Sequence, residues 1–122
     1  MQVNLYQLLD YAEANPDETY DLSGCSDCLA ARMTGLRMSS ARYFRRGDML
    51  HDGQIPYESV DSRFADLCVS VFNAARGKDT PCVFTGRQLS SAIGELIAGE
   101  SPRSVGEALV RRYLCIPDHS TV

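Results

Sequence analysis

Cys25-Ser26-Asp27-Cys28 holds the one close cysteine pair in the chain. Two thiols at this spacing can supply half of a tetrahedral zinc site, whose other half is usually a second close pair. The same spacing serves dithiol redox chemistry, where a helix N-terminus lowers a thiol pKa. A plainer reading needs no chemistry: Cys28, with Cys25, is a small apolar residue that pins a helix start to the core. Ligand counting bears on the choice. The remaining candidates, Cys68, Cys82, Cys115, His51 and His119, are scattered singly, so a zinc site at Cys25 and Cys28 would have to be completed by the fold. A thioredoxin-like redox unit would need alternating strands and helices, whereas the apolar spacing here is helical.

Nucleophilic or acid–base catalysis needs a base within reach of its partner. His51 stands between Leu50 and Asp52, and His119 lies near the C-terminus, neither with a sequence-local nucleophile or orienting group. No glycine-rich stretch ends in the Lys-Ser/Thr of a phosphate-binding loop. The sequence therefore predicts no enzyme, and no cofactor apart from the zinc alternative.

Charge is segregated. Residues 1–31 carry six acids and no base, and residues 32–46 carry five arginines and no acid. The chain as a whole has a net charge of −4, and eleven of its twelve basic residues are arginine. Arginine presents a planar fork of donors that fits carboxylate or phosphate. A net negative chain repels nucleic acid at long range, so the arginine run is expected to face the acidic segment or a protein. The partner-binding residues predicted on this basis are Asp10, Glu13, Asp17, Glu18 and Asp21, with Arg37, Arg42, Arg45 and Arg46. The tripeptide Arg46-Gly47-Asp48 is too short to signify adhesion.

The elements that must position these groups read as helices. Asn4 and Gln7 form a capping-box pattern ahead of Leu5, Leu8, Leu9 and Ala12, and the helix should stop by Asn15 because Pro16 follows. Residues 16–24 read as a polar loop anchored by Tyr20 and Leu22. A second helix should start near Cys25–Asp27, capped by Ser23, Ser26 or Asp27, with Cys25, Cys28, Leu29, Met33 and Leu36 on one face. A short third is expected after Ser39 or Ser40, ending at Gly47. Ser59 should open a central helix with a broad stripe from Val60 to Ala75 and Gly77 beyond its end. Residues 80–84 look extended but too short to imply a sheet. Thr85 and Gln88 repeat the capping box before Leu89, Ile93, Leu96 and Ile97, with Gly99 as the stop. Ser101-Pro102 is a strong helix start, followed by Val105, Ala108, Leu109 and Tyr113.

Thr85–Tyr113 resembles the helix-turn-helix of bacterial and phage regulators, through Ser101-Pro102-Arg103-Ser104-Val105, Ala108-Leu109 and Arg111-Arg112. The resemblance implies a recognition helix whose Arg103 and Ser104 face bases, backed by Arg111 and Arg112, with Val105 packed inward. Glu100 departs from it, standing where a hydrophobic residue follows the turn glycine. Residues 15–35, NPDETYDLSGCSDCLAARMTG, look similar to small uncharacterised bacterial and phage proteins with paired cysteines at a helix start. That likeness implies a bacterial or mobile-element source and no activity.

The expected fold is one all-α domain over residues 1–122, a compact orthogonal bundle of five to six helices with little or no sheet. It has an acidic part (1–31), a basic segment (32–46) and C-terminal helices (59–114). No apolar run approaches the ~20 residues of a membrane span, and the acidic N-terminal segment does not read as a signal peptide. A small soluble, cytoplasmic protein is expected. Its predicted function is non-enzymatic protein–protein interaction in a bacterium or phage, one form being a phage-encoded inhibitor of a host defence protein. DNA is the alternative partner. A homodimer would follow if the Val60–Ala75 stripe were left uncovered.

Overall fold

Asn4 opens the first helix, α1 (Leu5–Ala14), by the expected reciprocal cap. Its Oδ1 accepts the Gln7 N–H at 2.9 Å, and Gln7 Oε1 accepts the Asn4 N–H at 2.9 Å. Two otherwise orphaned donors are thereby satisfied. Asn15 closes the helix, and Leu5, Leu8 and Ala12 form its buried face. The structure, a computed structural model, describes residues 3–22, 28–35, 60–75 and 82–114, together with the backbone of 37–38 and 54–55.

After α1 the chain runs into β1 (Thr19–Asp21), α2 (Leu29–Thr34), β2 (Arg37–Met38) and β3 (Gln54–Ile55). Then come α3 (Ser62–Ala74), β4 (Val83–Thr85), α4 (Gly86–Ile97), α5 (Pro102–Leu109) and a π-helical turn over Val110–Leu114. The described residues are mostly helical, and every buried apolar side chain in α1, α2, α3, α4 and α5 except Ala65 joins one core cluster. α1 lies against α4, and α3 against α5. None of the described helices is long and apolar enough to cross a membrane.

Two glycines set the closeness of this packing. A Cβ on Gly86, the first residue of α4, would run into the backbone carbonyl oxygens of Asn15 and Ala12 at the end of α1. A Cβ on Gly106 in α5 would stand 2.7 Å from Ser70 Cβ and 3.1 Å from the Val71 nitrogen in α3. Each helix pair approaches to a distance that excludes a methyl group at that point.

Four sequence expectations change. The loop expected at 16–24 contains β1, and the stretch read as too short for a sheet contains β4. These two strands pair antiparallel, with Thr19 opposite Thr85, Tyr20 opposite Phe84 and Asp21 opposite Val83. Tyr20 and Phe84 are both buried, so each three-residue strand turns one large ring into the core. The ladder is continued by Leu22 N–H to the Cys82 carbonyl at 2.9 Å and Gly86 N–H to the Glu18 carbonyl at 2.8 Å. A second pair, β2 with β3, is parallel and two residues long. The second helix starts later than expected, at Leu29, with Cys28 as its cap. Gly35 ends it in the left-handed conformation (φ 72°), which a side chain at that position would resist. The fourth change is in α3, which starts at Ser62 under an Asp61 cap rather than at Ser59.

The stripe on α3 is covered within the chain: Val60, Phe64, Leu67, Cys68, Val71 and Ala75 are buried, and Phe72 is half-buried. The premise for a homodimer is thus not met on this face. The helix expected after Ser39 or Ser40, and Gly77, lie outside the described residues.

Candidate interaction surfaces

The acidic residues predicted from sequence lie on α1, on the turn after Pro16 and on β1. Asp10, Glu13, Asp17 and Glu18 are exposed and Asp21 is half-buried. Helical spacing puts Tyr6, Asp10 and Glu13 on one face of α1. Tyr6 is 61% exposed, the most exposed large hydrophobic residue among those described.

Two arginines reach into this acidic group. Arg32 lies 3.6 Å from Glu18, and Arg87 lies 3.6 Å from Asp17. The first link realises the expectation that the basic run turns back on the acidic segment, at its first arginine. The second comes from α4, whose Arg87 N–H also bonds the Pro16 carbonyl at 3.0 Å. Both ion pairs are water-exposed; the Asp17 side chain is 93% exposed and Arg87 74%. Such pairs contribute about 0–1 kcal/mol each. Among the described residues, the exposed acids Asp10, Glu13, Asp17 and Glu18 meet two loosely held arginines. Asp10 and Glu13 have no ion-pair partner among the described residues.

Arg32 does more than meet Glu18. Its guanidinium lies 5.7 Å over the Tyr20 ring, and Tyr11 meets that ring edge-on at 6.2 Å between centroids. The Tyr11 hydroxyl reaches the Arg32 carbonyl oxygen at 3.5 Å. The Tyr20 hydroxyl is buried and has no hydrogen-bond partner among the described residues. Burial pushes this phenol above its ordinary value, Tyr11 and Glu18 add to the shift, and Arg32 opposes it. The sequence reading took Tyr20 as a core anchor and Arg32 as one of a run. It missed that the first base after six acids folds back over that ring.

For the rest of the predicted basic set, Arg37 is described by its backbone alone, in β2. Arg42, Arg45 and Arg46 lie outside the described residues.

The cysteines separate. The Cys28 Sγ accepts the Ala31 N–H at 3.4 Å, so this thiol caps α2 from a buried position. Cys25 lies outside the described residues, as do Cys115, His51 and His119. The fold brings Cys28 together with Cys68 on α3 and Cys82 ahead of β4, all three buried thiols. Burial pushes the Cys68 thiol well above its ordinary value, and the nearby Cys28 and Cys82 push it further. A thiol held protonated in this way is a poor nucleophile. Among the described residues no group of three His, Cys, Asp or Glu side chains is placed to hold a metal ion.

In the segment that resembles a helix-turn-helix, α4 and α5 are joined through residues 98–101, and Val105 is buried as that likeness implies. Ser101 Oγ accepts the Ser104 N–H at 3.1 Å and lies 2.9 Å from the Ser104 hydroxyl. Arg103 is bound to Glu107 one turn on, at 3.1 Å. Ser104 is thereby held in the cap, while the Arg103 pair is exposed and of the same weak kind as those on the acidic turn. Arg111 and Arg112 are exposed on the π turn beside the 41%-exposed Tyr113, and have no ion-pair partner among the described residues. A shallow hollow of about 10 Å³, open to solvent, lies between α4 and α5, with Glu95 and Arg112 among its lining residues. That is far below the ~300–1,000 Å³ typical of small-molecule sites.

No protein-family model, curated protein or solved structure matches the chain.

Proposed function

We propose that the chain is a non-enzymatic protein–protein interaction module that docks on a basic macromolecular partner through the acidic face of α1 and β1. The observation that carries this reading is the exposed row Tyr6, Asp10 and Glu13, continued by Asp17. It combines an uncovered aromatic with carboxylates that, among the described residues, have no ion-pair partner (Asp10, Glu13) or only an exposed one (Asp17). Aromatic residues anchor interfaces, and complementary charge steers the encounter and fixes its register. The orthogonal helical bundle, the cytoplasmic location and the bacterial or phage source belong to the same proposal. A phage-encoded inhibitor of a host defence protein, occupying a basic groove by charge complementarity, is one concrete form.

Affinity capture from a bacterial lysate with the wild-type chain and the triple variant Asp10→Arg, Glu13→Arg, Asp17→Arg tests the reading. The wild type should retain a basic protein that the variant loses and that dissociates as salt is raised. Recovery of the same proteins by both chains would overturn it.

A second reading, DNA binding by α4 and α5, is favoured by the exposed Arg111 and Arg112 beside them, while the chain's net charge of −4 weighs against it. A gel-shift titration at two salt concentrations decides. Phosphate contacts weaken steeply with salt, and no shift at micromolar protein in low salt excludes this partner.

A further inference from the structure

We propose that the acidic face docks on Arg111, Arg112 and Tyr113 of a second copy of the same chain, so that two copies pair reciprocally, acid to base. The inference rests on the acidic-face reading and names the basic partner.

The π turn Val110–Leu114 continues α5 and turns a basic patch outward. Val110 is buried and Leu114 half-buried, while Arg111, Arg112 and Tyr113 between them are exposed. Wide turns of this kind recur at functional sites. The Tyr113 ring meets Phe84 of β4 edge-on at 6.5 Å between centroids. The patch is thereby fixed to the core while 41% of Tyr113 stays open to solvent. Neither arginine has an ion-pair partner among the described residues. The acidic face has the same make-up with the sign reversed: Tyr6, 61% exposed, shares its helix face with Asp10 and Glu13, which likewise lack ion-pair partners among the described residues. Three large hydrophobic residues are exposed among those described, and Tyr6 and Tyr113 are two of them. Tyrosine and arginine are the side chains that anchor interfaces.

The two patches flank the start of α4. Arg87 pairs with Asp17 and its N–H bonds the Pro16 carbonyl. The next residue, Gln88, lines the shallow hollow together with Arg112 and Tyr113. The strand pair joins them as well: Glu18 immediately precedes β1, and the Phe84 that holds Tyr113 stands opposite Tyr20 of β1. Unlike patches set on either side of one helix start allow a two-fold pair in which each copy's acids meet the other's arginines, with both contacts closing together. Closed two-fold dimers are the commonest soluble oligomers. Two individually weak contacts made at once within one pair reinforce each other as linked sites do. Copies of a chain with net charge −4 repel at long range, but salt screens that repulsion beyond about 8 Å, whereas the patches meet within it.

The test is sedimentation equilibrium of the full chain. Wild type should move from 13.5 kDa towards twice that mass as protein rises from about 10 μM to about 1 mM, the range of a small transient interface. The variants Asp10→Arg/Glu13→Arg and Arg111→Glu/Arg112→Glu should each weaken association by at least about tenfold. An equimolar mixture of the two should recover wild-type affinity to within about threefold, because each reversed patch then faces its complement. Net charge alone predicts the opposite for the first variant: each acid-to-arginine change adds two charges, which brings −4 to 0 and removes the repulsion. If a charge reversal fails to fold by circular dichroism, Asp10→Asn/Glu13→Gln or Arg111→Gln/Arg112→Gln carries the test, each weakening association by about threefold or more. A wild type that stays at 13.5 kDa throughout, variants that associate as wild type does, or a mixture that stays monomeric overturns the pairing. Lysate capture separates the two readings. A monomeric wild type that captures a basic protein lost by the triple acidic variant overturns the pairing and leaves the acidic face as a docking surface. A mixture that recovers the dimer, with the same proteins captured by wild type and variant, supports the pairing and overturns docking on a foreign partner.

Discussion

Tyr20→Phe should make the protein more stable. The Tyr20 hydroxyl makes no hydrogen bond among the described residues, and the residue is only 1% exposed. Leaving such a group unsatisfied costs about 1–3 kcal/mol. Removing it leaves a void smaller than a methyl group, which costs up to about 1 kcal/mol. The ring stays, with its edge contact to Tyr11 and the guanidinium above it, so the net gain should be about 1 kcal/mol. In a chain of 122 residues that raises the midpoint of thermal unfolding by about 3–5 °C. The pH dependence supplies an independent check. The folded pKa is raised above the ordinary 10.0, chiefly by burial. A group raised on folding contributes fully below its unfolded value, and that contribution is lost as pH rises through the folded value. Wild type should therefore lose stability faster than Tyr20→Phe above pH 10.0. Differential scanning calorimetry of the two proteins at pH 7 and pH 11 reads both effects. Destabilisation of Tyr20→Phe by 1 kcal/mol or more at pH 7 would show that the hydroxyl has a partner.

Further outcomes follow from helix packing and capping. Gly86→Ala should destabilise by about 2 kcal/mol, because the new methyl meets backbone oxygens of α1 that cannot swing away. In the same helix Gly94 has nothing within 4 Å of its would-be Cβ, so Gly94→Ala should stabilise by up to about 1 kcal/mol. Urea midpoints of the pair check the contrast, which fails if both move in the same direction. At the start of α3 the side-chain bonds from Arg63 hold the Asp61 carboxyl below its ordinary value of 3.8, against an opposing push from burial. Its contribution is present above pH 3.8 and lost as pH falls through the lowered folded value. Asp61→Asn keeps a good cap, so it should match wild type more closely at pH 2.5 than at pH 7 in thermal midpoint. For the cysteines, alkylation mapped by peptide mass should leave Cys28, Cys68 and Cys82 unmodified in the native protein at pH 8, as expected for buried thiols. All three should label in 6 M guanidinium chloride.

The helices were legible because each announces itself locally. Asn4 with Gln7, Thr85 with Gln88, and Ser101 with Pro102 carry their signals within three residues of the helix start, and apolar spacing supplies the rest. The strands were not, for two physical reasons. Three residues are too few to show a period of two, and what makes Thr19–Asp21 a strand is Val83–Thr85, far along the chain. The α2 start was missed because serine or aspartate is the expected cap, while here a thiol does that work. The charge pattern was legible as composition but not as geometry. Six acids followed by five arginines predicts a fold-back, yet only tertiary structure shows Arg32 engaging Glu18 while Asp17 draws its arginine from α4.

That division bears on function. Several links between the acidic turn and the remainder of the fold pass through β1: its ladder to β4, its Tyr20 in the core, and Arg32 lying over it. The carboxylates therefore stand on a short strand pair and the end of a capped helix, on backbone tied by the Gly86-to-Glu18 and Arg87-to-Pro16 hydrogen bonds. A surface used for recognition gains from such support, because side chains already positioned lose less freedom when a partner arrives. The weak ion pairs across the face work in the other direction. They hold Arg32 and Arg87 near the acids without committing the carboxylates, so an incoming cation displaces only contacts worth about 0–1 kcal/mol each. A rigid backbone carrying loosely neutralised carboxylates suits a docking face better than a surface whose ion pairs serve stability.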